Sequence, residues 1–433
     1  MTLPMADARP TDTLARLRAG QLAGATRLDL RGCGLAEVPA EVFALADTLE
    51  VLDLSGNALQ ALPETFATLQ KLRVLFCSDN RFTALPAVLG RCAALDIIGF
   101  KANRIVRVPP QALPPSLRWL ILTDNRIDEL PATLGDCHRL QKLMLAGNHL
   151  RRLPERIADC RRLELVRLAA NRFERAEDAL PDGLLALPRL AWLAHAGNPF
   201  SQAHEDQAGQ AETTPRIDWS RLVLQGTLGE GASGVIHAAT WQPDGGAARP
   251  VAVKLFKGAM TSDGLPRSEM AASIAAGAHP NIVAVEGRLE GHPEAASGLV
   301  LRRIPPGFRN LAAPPSLTSC TRDVYAQDTR FSAAQALAIA DAMASALDHL
   351  HRQGLLHGDL YAHNILVDDD GACLLGDFGA ASFLPTDDPQ RADALQRIDR
   401  RALGWLIDEL AQRCDDPAAL AALRPDPTAP WPG

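Results

Sequence analysis

Several features common in membrane and secreted proteins are missing from this sequence of 433 residues. No uncharged apolar stretch approaches the ~18 residues that a membrane-spanning helix needs. The first residues, MTLPMADARPTD, lack the basic patch and apolar run of a secretory signal, so we expect a cytoplasmic protein. The net charge of −7 argues against general binding to nucleic acid or to membrane surfaces. Lysine is scarce while alanine, arginine and proline abound, which suggests a GC-rich bacterial source.

The eight cysteines form no C-x-x-C pair and have no histidine set at metal-binding spacing. Cys92, Cys137 and Cys160 each lie three residues before a leucine that opens a copy of a repeat. They therefore occupy equivalent, inward-facing positions. We predict buried free thiols, which behave as small apolar residues.

A pattern with a period of about 23 residues fills the amino-terminal half of the chain. Six well-formed copies begin at residues 49, 72, 95, 117, 140 and 163, with a degenerate first copy from 26 and a last one from 190. Asparagines recur at positions 57, 80, 103, 125, 148, 171 and 198. The pattern L-x-x-L-x-L-x-x-N-x-L is that of leucine-rich repeats.

The spacing within each copy predicts its local structure. The alternating L-x-L indicates a short strand whose apolar residues face inward. The asparagine side chain can bond backbone groups that lack a sheet partner, and stacked copies would form a ladder. The L-P pair begins the return along the convex side. Since no copy can bury its own apolar face, the copies must stack. We expect an α/β horseshoe of parallel strands over residues 26–200, with a helical cap over 1–25.

The outward-facing strand positions of the repeats should form a concave surface in contact with solvent. Several of them are nevertheless apolar, namely Val74, Phe76, Ile97, Trp119, Ile121 and Met144. An exposed apolar patch of this extent usually marks a partner site. We therefore predict a protein-binding face. The alternative is that these side chains are buried within the chain or in a dimer.

Residues 201–218 separate the repeats from a different pattern. They are polar, lack an apolar period and contain a proline, which predicts a flexible linker. A second domain is then expected over residues 219–433.

The second domain opens with RLVLQGTLGEGASGVIHAATW, which indicates a strand, a glycine-rich turn and a second strand. The glycines join two strands rather than a strand and a helix, and this disfavours a dinucleotide-binding motif. The next strand carries V-A-V-K, ending at Lys254. A helical stretch follows with one glutamate, Glu269, fifteen positions on.

Further along, an amphipathic helix leads into LHGDLYAHNILV at residues 356–367. Two strand-like pieces then precede Asp377-Phe378-Gly379, thirteen residues after Asn364. The glycine loop, V-A-V-K, H-G-D-L-x-x-x-N and D-F-G occur in the order found in eukaryotic-type protein kinases, and the domain resembles them. The resemblance implies an α+β bilobal fold.

The resemblance also implies ATP and Mg²⁺ (or Mn²⁺) as cofactors. Lys254 and Glu269 would position the phosphates, Asp359 would act as the base, and Asn364 and Asp377 would hold metal. The residues expected to bind ATP are Leu228, Gly229, Glu230, Gly231, Ala232, Ser233, Gly234, Val235, Ala252, Lys254, Leu301 and Leu366.

The chain departs from the kinase pattern around the catalytic aspartate. Gly358 stands where the family has an arginine that pairs with a phosphate, which argues against switching by activation-loop phosphorylation. Tyr361 replaces a lysine that contributes positive charge near the γ-phosphate. His363 could partly substitute for that charge, or it could only bond the loop. Asp399 resembles the helix aspartate that bonds back to the catalytic loop.

A larger departure follows Gly379, because the chain reaches its next helix in about twenty residues and contains no A-P-E. The carboxyl lobe is therefore expected to be shortened. We expect an ATP-dependent serine/threonine protein kinase that also phosphorylates itself, with repeats that recruit a protein partner or substrate. A small-molecule phosphotransferase of the same fold, or a repeat–pseudokinase scaffold, are the alternatives.

Overall fold

A computed structural model of the chain describes residues 9–209, 214–231, 233–258, 260–261 and 263–424. Contacts divide the chain into two compact units. The first comprises Met1–Val166 and Asn171–Arg189, and the second comprises Arg167–Ala170 and Leu190–Gly433. The repeat that begins at residue 190 therefore belongs to the second unit, and the end of the repeats at residue 200 stays a prediction. Within the described residues, no helix combines the length and apolarity needed to cross a membrane.

The first unit has the predicted repeat architecture. Helix α1 (Pro10–Arg18) precedes the strands, in keeping with a helical cap, although residues 1–8 of the predicted cap lie outside the described part. The strands follow one another in chain order across one sheet. From the first strand to the sixth, each strand pairs in parallel with the next. The first seven are β1 (Arg27–Asp29), β2 (Val51–Asp53), β3 (Val74–Phe76), β4 (Ile97–Gly99), β5 (Trp119–Ile121), β6 (Lys142–Met144) and β7 (Leu165–Arg167). The last residue of β7, Arg167, already belongs to the second unit.

Short 3₁₀ helices of three to six residues form the return path of most repeats. A proline immediately precedes each of them, as the L-P pairs predict. They span Ala40–Leu45, Glu64–Thr68, Ala87–Arg91, Pro110–Ala112, Ala132–Asp136 and Glu155–Asp159. Two short α-helices, α2 (Ala176–Ala179) and α3 (Asp182–Leu185), take this place at the carboxyl end of the first unit.

The predicted asparagine ladder is present. The Asn125 side-chain amide donates to the carbonyl oxygens of Phe100 and Leu122 at 2.9 and 3.0 Å. Its carbonyl oxygen accepts from the Ile105 amide at 3.0 Å. Asn80, Asn103 and Asn148 make the same set of bonds. Each asparagine thus satisfies buried backbone groups of its own repeat and of the preceding one.

Asn125→Ala is expected to destabilise the repeat unit by about 3 kcal/mol, because it leaves several buried backbone groups without a partner. The midpoint of urea unfolding, followed by circular dichroism, measures this loss. Asn57→Ala is the matched control, since Asn57 makes similar bonds but is only half-buried, and its loss should be smaller. Equal and small losses of stability in the two variants would contradict the claim that the asparagine ladder stabilises the repeat unit.

The expectation of an exposed apolar concave face is wrong at four of its six positions. Val74, Phe76, Ile97 and Trp119 are each at most 8% exposed. Side chains on neighbouring strands cover one another. The Phe76 ring lies where a Cβ of Gly99 would be, the Trp119 indole nitrogen is 3.3 Å from the Met144 sulfur, and the Lys142 ammonium lies 4.5 Å from the Trp119 ring centre. Only Ile121 and Met144, which are half-buried, retain part of the predicted surface.

All eight cysteines are free thiols, as predicted. Six of them are buried, and Cys33 and Cys414 are half-buried. Burial raises the pKa of Cys92 and of Cys137 to about 11, so both are protonated at neutral pH. These thiols therefore act as core residues.

The second unit contains three sheets and four α-helices within its described residues. A six-stranded sheet has the order β10-β11-β12-β14-β13-β9, a three-stranded sheet the order β15-β17-β18, and β16 pairs with β19. Their strands are β9 (Arg216–Asp218), β10 (Leu222–Glu230), β11 (Gly234–Trp241), β12 (Arg249–Phe256), β13 (Val285–Glu290), β14 (Gly298–Arg302), β15 (Arg309–Asn310), β16 (Leu355–Leu356), β17 (Ile365–Val367), β18 (Cys373–Leu375) and β19 (Ser382–Phe383). Strand β8 (Trp192–Ala194) also belongs to the second unit but lies outside these three sheets. The helices are α4 (Gln202–Gly209), α5 (Pro266–Ala275), α6 (Ala333–Arg352) and α7 (Pro389–Ala411).

Apolar side chains from β9 to β14 pack into the core of the six-stranded sheet, with Ile217, Val251, Val253 and Val300 almost fully buried. Helix α6 begins with a capping box in which the Ser332 hydroxyl accepts from the Gln335 amide. This helix and α7 are the long helices that support the loops around residues 357–364.

Helix α4 shows that the prediction of a flexible linker over 201–218 is wrong for residues 202–209. Glu205 is buried and accepts hydrogen bonds from the Ser201 and Ser268 hydroxyls at 2.6 Å and from the Gly197 amide at 2.7 Å. The contacts that hold this helix are polar, and a search for apolar periodicity does not register them.

Candidate active site

A cavity of about 610 Å³ lies between the six-stranded sheet and the three-stranded sheet of the second unit. Its size suits a small-molecule ligand. Of the residues predicted to bind ATP, Leu228, Gly229, Ala252, Lys254, Leu301 and Leu366 line it, as do Glu269 and Asp377. The lining residues that motif reasoning missed are mostly apolar, such as Val283, Leu299 and Ile304.

Lys254 and Glu269 meet at the inner wall of this cavity. Lys254 lies on β12, opposite Ile236 of β11 and Leu299 of β14. Its ammonium group pairs with the carboxylate of Glu269, which comes from the first turn of α5. Burial raises the pKa of Glu269, and the neighbouring Lys254 charge offsets this only in part. The pair therefore places a fixed ammonium group at the cavity wall, as the sequence predicted.

The glycine-rich turn joins β10 to β11, and its glycines have different roles. Space is open around Gly229 and Gly231, which leaves their backbone accessible to a ligand. A Cβ at Gly234 would lie 2.4 Å from the Leu255 carbonyl oxygen, so close strand packing requires that glycine. The remaining predicted positions of the turn, Glu230, Gly231, Ser233, Gly234 and Val235, do not line the cavity in the described part of the chain. Ala232 lies outside the described residues.

Asp359 and Asn364 form the second part of the site. Both belong to the loop that follows β16, with Asn364 ending a single 3₁₀ turn, Ala362–Asn364. The Asn364 amide donates to the carboxylate and to the backbone carbonyl of Asp359, both at 3.0 Å. This bond leaves the Asn364 carbonyl oxygen available as a ligand.

Asp399 on α7 fixes the backbone of the same loop. Its carboxylate is fully buried and accepts from the amides of His357 and Gly358, both at 2.9 Å. His351 of α6 adds a third contact at 3.0 Å. The predicted structural role of Asp399 is confirmed.

Asp377 faces the cavity from the turn after β18. It has a left-handed backbone conformation (φ 55°) and accepts a hydrogen bond from the Gly379 amide at 3.1 Å. Its carboxylate is exposed. The next residue, Phe378, packs edge-on against His357, with ring centres 5.4 Å apart. The packing of Phe378 thus joins the Asp377 turn to the Asp359 loop.

The donor set here fits a hard divalent cation. Asp377 offers an exposed carboxylate and Asn364 an amide oxygen, and oxygen ligands are those that Mg²⁺ prefers. Mg²⁺ usually takes one or two protein ligands and completes its shell with phosphate oxygens and water. When bound, it would neutralise part of the charge on the phosphates.

A residue that the sequence did not single out also contacts Asp359. Arg167, the last residue of β7, is only 2% exposed in its side chain. Its guanidinium pairs with the Asp359 carboxylate and, at 2.7 Å, with that of Asp263. It also donates to the Gly358 carbonyl at 3.3 Å. Burial works to raise the pKa of Asp359, but Arg167, His363 and His357 outweigh it and hold that pKa below its usual value.

Strand β8 packs against the same loop. The Leu193 amide donates to the Gly358 carbonyl at 3.1 Å, and the Trp192 indole donates to the Leu360 carbonyl at 3.0 Å. The Trp192 ring stacks on Tyr361, with centres 4.3 Å apart and an interplanar angle of 7°. A Cβ at Gly358 would lie 2.2 Å from the Leu193 carbonyl oxygen, and φ there is +69°. Glycine stands at position 358 because β8 leaves no room for a side chain.

His363 bonds the loop to the segment before α6. Its backbone amide and its ring Nδ1 both contact the Asp323 carboxylate at 2.8 Å. Burial would lower the pKa of His363, but Asp323 more than compensates, so that pKa is raised. The positive charge of this imidazole is thus paired with Asp323, which supports the loop-bonding interpretation over a cation for the γ-phosphate.

The residues of the candidate site that belong to a sequence motif were predicted, and those that lie outside any motif were missed. Arg167 and Trp192 occupy outward-facing repeat positions, where nothing local separates them from other surface residues. One signal was available, because the loop lacks two cations of the family, at positions 358 and 361, and a buried arginine could come from elsewhere in the chain. The pattern did not indicate which arginine.

Comparison with known proteins agrees with this geometry. Residues 222–414 match the family described as protein tyrosine and serine/threonine kinase, and residues 24–82 and 115–173 match the leucine rich repeat. The chain thus carries leucine-rich repeats and a protein kinase domain.

The related curated proteins align only with parts of the chain. Ephrin type-A receptor 6 of Mus musculus is 28% identical over 211 residues, which are 42% of this chain and 20% of the receptor. Serine/threonine-protein kinase mos of Gallus gallus is 31% identical over 179 residues, which are 39% of this chain and 49% of that kinase. Cyclin-dependent kinase C-2 C of Arabidopsis thaliana is 31% identical over 106 residues, covering 24% of this chain and 15% of that protein. The chain spans at most about half the length of these relatives.

Proposed function

We propose that this protein transfers the γ-phosphate of ATP to serine or threonine hydroxyls of proteins, its own included. The observation that carries the proposal is the juxtaposition of the Lys254–Glu269 pair and the exposed Asp377 carboxylate in one cavity of suitable size. Names of relatives support a protein acceptor, since serine/threonine-protein kinase mos is among them. The type of hydroxyl stays open, because the family that matches residues 222–414 includes both tyrosine and serine/threonine kinases.

The chain's own residues would divide the work as follows. Lys254, held by Glu269, would hold the phosphates of ATP against the sheet. Asp377 and Asn364 would hold Mg²⁺, which lowers the repulsion between the phosphates and the acceptor. Asp359 would accept, or orient, the proton of the attacking hydroxyl, at a position fixed by Asn364 and by the backbone that Asp399 holds.

The repeats are proposed to recruit a protein partner or substrate. The burial of Val74, Phe76, Ile97 and Trp119 weakens the specific proposal that these side chains form the contact surface. Ile121 and Met144 remain accessible in part.

The acceptor class is tested by incubating the whole protein with γ-labelled ATP and Mg²⁺, alone, with a mixture of generic protein substrates, and with amino sugars or choline. We expect label on protein, with phosphoserine or phosphothreonine after acid hydrolysis. Asp359→Asn serves as the blank. Transfer to small alcohols alone would overturn the proposal in favour of a small-molecule phosphotransferase. ATP binding without turnover would favour the alternative that the protein is a repeat–pseudokinase scaffold.

A further inference from the structure

The side chain of Arg167 is buried, and each of its three guanidinium nitrogens is engaged. Nε contacts Asp263, Nη1 contacts the Gly358 carbonyl, and Nη2 contacts Asp359. Three contacts hold the planar guanidinium in one orientation, and Arg167 and Asn364 then each hold one oxygen of the Asp359 carboxylate. With these contacts Arg167 is a buried residue that packs against the loop, and it is not a surface residue.

The loop itself, residues 357–364, has no arginine or lysine beside the proposed catalytic aspartate. Position 358 is glycine and position 361 is a tyrosine buried under Trp192. The imidazole of His363 is paired with Asp323. An incoming γ-phosphate would therefore meet the negative charges of Asp359 and Asp263 with no arginine or lysine of the loop to offset them.

We infer that Arg167 is a positioning residue of the phosphotransfer site, supplied by a leucine-rich repeat strand: it orients the Asp359 carboxylate and places a guanidinium charge beside it, where the loop has no arginine or lysine. The inference rests on the proposed function. It assigns a strand of the repeat pattern to the reaction itself, in addition to any recruiting role of the repeats.

The contact leaves Asp359 able to work as a base. One carboxylate oxygen faces Arg167 and the other faces Asn364, but the two oxygens together offer about four acceptor sites. The Asp359 side chain also remains 13% exposed. A substrate hydroxyl can thus be accepted while both protein contacts persist.

Arg167→Gln is expected to lower kcat by about 100-fold, with the KM for ATP changed by less than about threefold, because removing a charged group aimed at the reacting centre has effects of this size. Arg167→Lys keeps the charge but loses the fork of donors, and it should recover about a tenth of wild-type kcat. Arg189→Gln, which removes the arginine–carboxylate pair with Glu164 in the first unit, is the matched control and should leave kcat unchanged.

The melting temperature and the dissociation constant for Mg-ATP are measured for every variant, so that a loss of kcat can be distinguished from a loss of folding or of ATP binding. A higher kcat in Arg167→Gln would show that Arg167 restrains Asp359, and an unchanged kcat would show that it is dispensable; either result overturns the inference. Equal losses in the Gln and Lys variants, together with lost ATP binding, would reduce Arg167 to a purely structural role and also overturn it. If the wild-type protein transfers no phosphate, the proposed function itself has failed, which is a separate outcome.

Discussion

Asp377→Asn is expected to lower the rate of phosphate transfer by at least ~1000-fold, because it removes the exposed carboxylate that would hold the metal against the phosphates. The other acidic residue of the cavity, Glu269, is paired with Lys254 and cannot replace it. Initial rates measured over a range of Mg²⁺ concentrations should show that excess metal restores little of the loss.

The matched control for this substitution is Asp370→Asn, in the exposed turn between β17 and β18. It removes the same charge from the hairpin that precedes Asp377, seven residues away in sequence, and should leave the rate within about twofold of wild type. A loss of less than about threefold in Asp377→Asn would contradict the assignment of the metal site.

Gly358→Ala is expected to destabilise the second unit by about 3 kcal/mol or more, and Gly358→Arg by at least as much. Protein kinases have an arginine at this position, yet introducing it here should not restore the pairing with a phosphate that this arginine makes in the family. A Cβ at position 358 would approach the Leu193 carbonyl oxygen to 2.2 Å and the Ala380 carbonyl oxygen to 3.1 Å. Both contacts are to backbone, which cannot rotate away as a flexible side chain could.

Gly354→Ala is the control that distinguishes the cost of a left-handed backbone conformation from the cost of a steric clash with neighbouring backbone. Gly354 has φ +73°, close to the +69° of Gly358, but no atom lies within 4 Å of its would-be Cβ. Its replacement should cost only the strain of a left-handed alanine, about 1 kcal/mol. Thermal unfolding of the two variants measures the difference. Similar costs at the two positions would mean that β8 does not pack as described on the loop that carries Gly358.

The parts of the structure that follow from local patterns were predictable. A 23-residue period with asparagines at a fixed place requires stacked repeats, and the ladder around Asn125 follows from unpaired backbone at each turn. Lys254, Glu269, Asn364 and Asp377 could be singled out as candidate site residues because their motifs occur in a fixed order. Asp399 was recognisable from its place on the next helix.

The remaining parts depend on contacts between distant segments. Arg167 and Asp359 are 192 positions apart, and neither position indicates the other. The helix at 202–209 was missed because a buried glutamate, Glu205, holds it through hydrogen bonds rather than through an apolar stripe. The concave face was misjudged because cross-strand neighbours such as Phe76 and Gly99 cover each other, an effect that depends on side-chain size rather than on the repeat.

The most direct test of the central claim is a time course of label transfer from γ-labelled ATP to protein, by wild type and by Asp359→Asn, after both are shown to bind Mg-ATP with similar affinity. The account predicts steady labelling by the wild type and a rate at least ~1000-fold lower in the variant. Equal labelling by the two proteins, or none by a wild type that binds ATP, would contradict it.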